Sequence, residues 1–252
     1  MAQLSVVRPG EPLEPYDYSI LILGASGNGK STFVNTLVNV IIGNRPGNLQ
    51  VAVACYKYPN IIPALDDGLH DYDDGKTQTT HAHFYKLKSS ITENKTILVI
   101  HTPGFALSED DSGDDNIAQI IINAALRTKY LNAIIIIQNS SYNRLSPCLE
   151  YSLYRISEII PKEFENQVIL VLTFNSGATQ FQDRWLLFPI QYKVKINNIA
   201  FKYSSNEYQA KPYCINRSDW DRSAKKVKKI VIKLFTMPKV PTIHFIGYPN
   251  TR

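Results

Sequence analysis

The segment GASGNGKS, Gly24 to Ser31, lies between an apolar run, YSILILG, and a second apolar run, STFVNTLVNVIIG. It fits the pattern G-x-x-x-x-G-K-[ST], in which a strand gives way to a helix around a bound phosphate. The context restricts the fold as much as the letters do, because the loop works only between a buried strand and the start of a helix. Successive backbone N–H groups then point at the phosphates, and the helix N-terminus adds positive potential. Gly24, Ser26, Gly27, Asn28, Gly29, Lys30, Ser31 and Thr32 are the expected phosphate-side residues. Lys30 is expected to reach the β- and γ-phosphates and Ser31 to ligate Mg²⁺.

The rest of the chain continues in the same manner, with apolar runs alternating with amphipathic segments as in a parallel-sheet α/β protein. TILVIH, NAIIIIQN and QVILVLTF read as buried strands; NIAQIIINAALRTKYL and SPCLEYSLYRISEIIP read as helices. THAHFYKL and LQVAVACYKY are extended candidates, KPYCIN a short final strand, and FPIQYKVKINNIAFKYSS a β-hairpin turning at Asn197 and Asn198. SDWDRSAKKVKKIVIKLF carries an N-cap signal at Ser218 and apolar residues at helical spacing. Its lysines are expected to face solvent, with a membrane-surface helix as the alternative. One domain is expected from the 252 residues. Its bounds are 19–236, after a flexible lead-in over 1–18 and before a tail over 237–252.

Composition narrows the classes further. No apolar run approaches the roughly 20 residues that a membrane helix needs, so no transmembrane segment is expected. The N-terminus lacks the basic and apolar regions of a secretory signal. Cys55, Cys148 and Cys214 suit neither a disulfide framework nor a zinc site, and a cytoplasmic setting follows. The net charge of +5 hides two acidic clusters, DDGLHDYDD and EDDSGDD, so the remainder is distinctly basic. With no base-stacking motif or groove-reading element beside them, the lysines are read as a solvated surface and no nucleic-acid partner is expected.

The later motifs separate the classes of phosphate-loop protein. GKTQTTHAHFY, then HTPGF followed by an acidic loop, LNAIIII with NRLSP after it, VILVLTFNSG and KPYCINRSDW occur in that order. Together with GASGNGKSTFVNTL they resemble the septin-like branch of GTPases, and most closely the AIG-type immunity-associated GTPases and their fungal and protist relatives. The resemblance spans Ile20 to about Phe235. It implies a three-layer Ras-like G domain whose mostly parallel sheet has one antiparallel strand, and to which the hairpin is added. It also implies GTP and GDP as ligands with Mg²⁺, slow hydrolysis, and a homodimer or filament through the nucleotide face.

Carried over by position, Thr32 lies near the α-phosphate, and Thr79 matches the switch threonine and second metal ligand, with Thr77 and Thr80 as competitors. Gly104 matches the switch glycine, and Arg144 a family arginine without a derivable role. Phe174, Asn175 and Ser176 match the base-reading loop, and Asn216 the later loop near base or ribose.

Three departures stand out. His101 occupies the position of an Asp that holds Mg²⁺ through a water, and a neutral imidazole can bond that water but brings no negative charge. A strand-end histidine with a local hydrogen-bond partner is the equal alternative. Ser176 replaces the Asp that accepts two hydrogen bonds from guanine, so guanine preference is expected to fall. Phe105 is apolar where a water-orienting glutamine stands in Ras, and the catalytic residue is unknown. His81 and His83 alternate on a strand and, without a third ligand at suitable spacing, read as ordinary strand residues. A slow GTPase switch is therefore expected, with a non-catalytic nucleotide-binding scaffold or a P-loop ATPase as alternatives.

Overall fold

The computed structural model describes residues 2–46, 48–53, 79–105, 111–175, 177, 179–202 and 217–246. The strands in chain order are β1 (Gln3–Val7), β2 (Tyr18–Leu23), β3 (His83–Lys88), β4 (Ile97–His101), β5 (Tyr130–Leu131), β6 (Ala133–Asn139), β7 (Val168–Thr173), β8 (Tyr192–Lys195) and β9 (Val240–Pro241). The α-helices are α1 (Lys30–Ile42), α2 (Asp111–Leu126), α3 (Pro147–Ile159) and α4 (Arg217–Phe235).

A seven-stranded sheet with the order β1-β3-β4-β2-β6-β7-β8 forms the middle layer, and β5 and β9 make a separate two-stranded pair. Within the large sheet β3 alone runs against its neighbours, pairing antiparallel with β1 and β4. The other pairings are parallel. Strands such as ILVIH, AIIIIQN and VILVLT are buried almost throughout, as parallel strands covered on both faces must be.

Side-chain alternation along each strand then divides the core. Ile20 and Ile22 of β2 pack with Phe33, Leu37 and Ile41 of α1 and with Trp220, Val227, Ile230 and Leu234 of α4. Leu21 and Leu23 point the other way, onto Ile121 and Ala125 of α2 and Leu153 and Ile156 of α3. Full burial of each such Leu, Ile or Phe contributes about 1.5–3 kcal/mol relative to exposure. On α4 the lysines Lys225, Lys228 and Lys229 are exposed.

Helix ends follow local chemistry. α1 stops at Gly43, whose φ of 83° closes the last turn by donating to the Asn39 and Val40 carbonyls. Ser146 caps α3 by accepting from the Leu149 amide, with Pro147 in the first turn. Part of the second acidic cluster is helical, because α2 begins at Asp111 and carboxylates are favourable in a first turn. Asp115 pairs there with Arg155 of α3.

Four expectations are corrected. Gln3–Val7, placed in a flexible lead-in, forms edge strand β1 against β3. Among the described residues no hairpin forms: Tyr192–Lys195 joins β7 as a parallel strand, and Ile199–Lys202 is a 3₁₀ turn. Residues 49–53 of LQVAVACYKY are not a strand, since Asn35 and Asn39 of α1 supply their partners: Asn35 Oδ1 accepts from the Ala52 and Val53 amides, each at 2.8 Å. The segment placed in the tail packs onto the domain, with Val240–Pro241 paired to Tyr130–Leu131 and Phe245 buried against Phe164. KPYCIN lies outside the described residues. Among those described, no helix is long and apolar enough to cross a membrane.

Candidate nucleotide-binding site

The chain leaves β2 for α1, then builds β3 and β4 on one side of β2 before crossing to β6 and β7 on the other. The strand order reverses at the carboxyl end of β2, where open α/β sheets form their ligand crevice. Gly24 to Ser31 occupies that point. Gly24 has φ 148°, and a Cβ there would overlap the Ile137 carbonyl oxygen of β6, so only glycine fits between the two strand ends.

Lys30 Nζ donates to the carbonyls of Gly24, at 3.0 Å, and Ala25, at 2.9 Å. The residue is 7 % exposed, and burial alone pushes its ammonium down to about 7. A cation held this way is incompletely solvated and strongly receptive to an anion.

Gly104 covers it. A Cβ at Gly104 would overlap Lys30 Nζ and stand 2.6 Å from the Ser26 nitrogen, so the backbone of the TPGF segment rests directly on the phosphate loop. A parallel bridge joins Ala25 to Phe105, and the Ser26 amide donates to the Phe105 carbonyl at 2.8 Å. Thr102 Oγ1 donates to the Ile22 carbonyl at 2.6 Å, tying the same segment to β2. Phe105 itself is buried in the core shared with α2 and α3.

Ser31 and His101 meet. Ser31 Oγ and His101 Nε2 lie 3.3 Å apart, and His101 is fully buried. His83 is its cross-strand partner, with the two rings stacked at 6.0 Å between centroids. The pairing of His101 with His83 across β3 and β4 is not visible in either segment alone; the placement of both at strand positions is the signal that allows it. Thr79 is buried four residues before His83, ahead of the start of β3.

On the far side, Asn28 Nδ2 donates to the Ile137 carbonyl at 3.3 Å and to Gln138 Oε1 at 3.0 Å. Thr173 Oγ1, at the end of β7, donates to the Asn28 carbonyl at 2.7 Å. These bonds lash the phosphate loop to β6 and β7, a role that sequence reading assigned to neither Gln138 nor Thr173. Phe174 follows with φ 52° and its ring beside Gly29. Asn175 Nδ2 donates to Ser140 Oγ at 3.5 Å, so this side chain turns into the protein. Thr32 is half-buried in the first turn of α1, and Arg144 is exposed between β6 and α3. Thr77, Ser176 and Asn216 lie outside the described residues.

The fold has counterparts among solved structures. A structure of the chloroplast translocon components atToc33 and psToc159, whose dimerisation is described as important for their GTPase activity, superposes with TM-score 0.52 at 15% identity, over 93% of this chain and 84% of that one. The fold is that of the P-loop GTPases. Toc33 from Arabidopsis thaliana with GDP and Mg²⁺ gives TM-score 0.45 at 14% identity over 91% and 84% of the two chains. A GTP-binding protein from Sulfolobus solfataricus gives 0.42 at 15% over 83% and 53%. In sequence, no family model and no curated protein matches the chain.

Proposed function

We propose that the chain binds GTP and GDP with Mg²⁺, hydrolyses GTP slowly, and serves as a switch or assembly module of the septin-like, AIG type. The observation that carries this reading is the buried Lys30 ammonium lying directly under Gly104. An anion at Lys30 relieves the cation's incomplete solvation, and a terminal phosphate arriving there must also meet the Gly104 backbone. The 102–105 segment, bridged to Ala25, thereby becomes the element whose position depends on the third phosphate.

The donor set bears on the metal. Mg²⁺ is usually held by one or two protein oxygens together with waters and phosphate oxygens. The Ser31 hydroxyl fits that pattern, and Thr79 is the proposed second ligand. His101, 3.3 Å from Ser31 Oγ, supplies an imidazole in place of a carboxylate. Among the described residues no group of three or more His, Cys, Asp or Glu side chains could hold a metal alone. The ion, when bound, neutralises phosphate charge; His101 contributes a hydrogen-bonding nitrogen without negative charge, which weakens the metal's hold. Slow hydrolysis agrees with the buried, apolar Phe105 that follows the switch glycine. Pairing through the nucleotide face, as a dimer or filament, belongs to the same proposal.

A second reading has two observations in its favour. With His101 beside Ser31 and the Ser26 amide already engaged by Phe105, the chain could bind nucleotide as a non-catalytic scaffold. Isothermal titration with GTP, GDP and ATP, with and without Mg²⁺, separates the two. Tighter GTP binding in Mg²⁺ supports the switch. Equal binding of GTP and GDP, indifferent to Mg²⁺, rejects it in favour of the scaffold.

A further inference from the structure

α4 has two faces, and the fold accounts for only one of them. Trp220, Val227, Ile230, Val231 and Leu234 are buried in the core, so the apolar stripe that could otherwise lie in a bilayer is already covered. The outward face is basic. Arg222, Lys225, Lys228 and Lys229 are exposed, and Lys233 is half-buried. Arg222, Lys225 and Lys229 follow one another at spacings of three and four, which sets them in a row along the helix.

The row is left with its charge. Among the described residues Arg222 pairs with Asp219, whereas Lys225, Lys228, Lys229 and Lys233 meet no carboxylate. Like charges three and four apart on a helix repel one another. Lys226 registers this: burial first, and then the charges of Arg222 and Lys195, push its ammonium below the ordinary value. The imbalance extends across the molecule. α4 carries seven Lys and Arg against two Asp, whereas α2 and α3, packed on the opposite face of the sheet, carry five Asp and Glu against one Arg. A protein divided in this way turns its basic side toward an anionic surface.

An isoleucine interrupts the basic row. Ile232 leaves 64% of its surface exposed, next to Lys233 and one turn beyond Lys229. We propose that the outward face of α4 docks on an anionic lipid bilayer, its cations lying at the headgroups and Ile232 entering the acyl boundary. Ile232 decides the class of partner. A bilayer has hydrocarbon directly beneath its anionic layer, whereas a nucleic-acid backbone offers an apolar side chain nothing. The row from Arg222 to Lys233 runs straight for about 17 Å, which suits a flat surface. Each Lys or Arg held there raises partitioning by about fivefold. The docking face uses no residue of the phosphate loop and stands whether or not the chain binds nucleotide.

The test is flotation of the full chain with lipid vesicles, one set of pure phosphatidylcholine and one containing about 30% phosphatidylserine. The wild type should float with the anionic set alone, and its partitioning should fall by about tenfold or more as salt rises from about 50 to about 300 mM. Lys225→Gln combined with Lys229→Gln should weaken partitioning by about 25-fold, and Ile232→Ser by about tenfold. All three positions lie on the solvent side of the helix, so the melting temperature read by circular dichroism should hold. Equal flotation with neutral vesicles, or none with either set, overturns the proposal. So does anionic-vesicle binding that the lysine pair or Ile232→Ser leaves unchanged, since another surface is then responsible. A fluorescent single-stranded RNA completes the test: RNA bound more tightly than the anionic vesicles assigns the face to nucleic acid and overturns the proposal as well.

Discussion

At the phosphate-loop end of the candidate site Lys30 is buried and gripped by two carbonyls, whereas at the end proposed for the base Phe174 leaves more than half of its surface in solvent. The phosphate end is made largely of backbone, and the requirement for it is written into eight consecutive residues. The base end is assembled from the tips of β6 and β7, where the outcome depends on individual side chains. On the proposed nucleotide reading, recognition of charge can stay intact while recognition of the base changes, because the two rest on different parts of the chain.

The sharpest way to break the comparison is to remove the cation. Lys30→Met should abolish measurable GTP binding, a loss of at least about a hundredfold in calorimetric affinity. The same variant should be the more stable protein when nucleotide is absent. Burial lowers the Lys30 ammonium from 10.5 to about 7, a displacement worth up to about 5 kcal/mol. Between those two values the unfolded chain keeps a proton that the folded chain has released, so the penalty fades as pH rises through that window. Denaturant melts should show Lys30→Met ahead of wild type by a few kcal/mol at pH 7 and by less than about 1 kcal/mol at pH 10.

Gly104→Ala tests the cover over the cation. Its methyl group has nowhere to go beside Lys30 and Ser26, so the TPGF segment must withdraw. A stability loss of about 1–3 kcal/mol is expected from chemical denaturation, with GTP affinity reduced more than GDP affinity. His101→Asp sharpens the comparison from the metal side. Restoring a carboxylate beside Ser31 should raise the ratio of GTP affinity with Mg²⁺ to that without it by about tenfold, as read by calorimetry. The smallest effect is expected at the joint between the two ends. Thr173→Val removes the bond to the Asn28 carbonyl and should cost about 1 kcal/mol of unfolding free energy in a urea titration.

The legible parts of the fold were those whose signal is local. YSILILG, the glycine loop and STFVNTL specify strand, turn and helix without reference to anything distant, and TILVIH, NAIIIIQN and QVILVLTF are too apolar to be anything but interior strands. What escaped depends on distant partners. β1 is short, half-exposed and followed by prolines, and only its pairing with β3 makes it a strand. Asn197 and Asn198 look like a hairpin turn, yet Lys193 and Lys195 alternate along an edge strand parallel to β7. Asn35 and Asn39, unremarkable on a helical wheel, act as hydrogen-bonding partners for residues 50–53.

The site divides in the same way. Ser31, at the start of α1, and His101, at the end of β4, each carry a metal-side expectation in the sequence, but their approach to 3.3 Å is set by the fold. The contact between Gly104 and Lys30, the left-handed backbone of Phe174 and the inward turn of Asn175 are tertiary outcomes that no spacing announces.

The buried ammonium also bears on how long the protein lasts. A fold that encloses an uncompensated cation is at its weakest when empty, and any anion that neutralises Lys30 adds binding free energy to the native state alone. Proteases act on the opened fraction of a population, so degradation should slow steeply as the ligand concentration passes its dissociation constant. The lifetime of the chain would then follow the supply of its ligand, a form of control that needs no partner and no catalytic turnover.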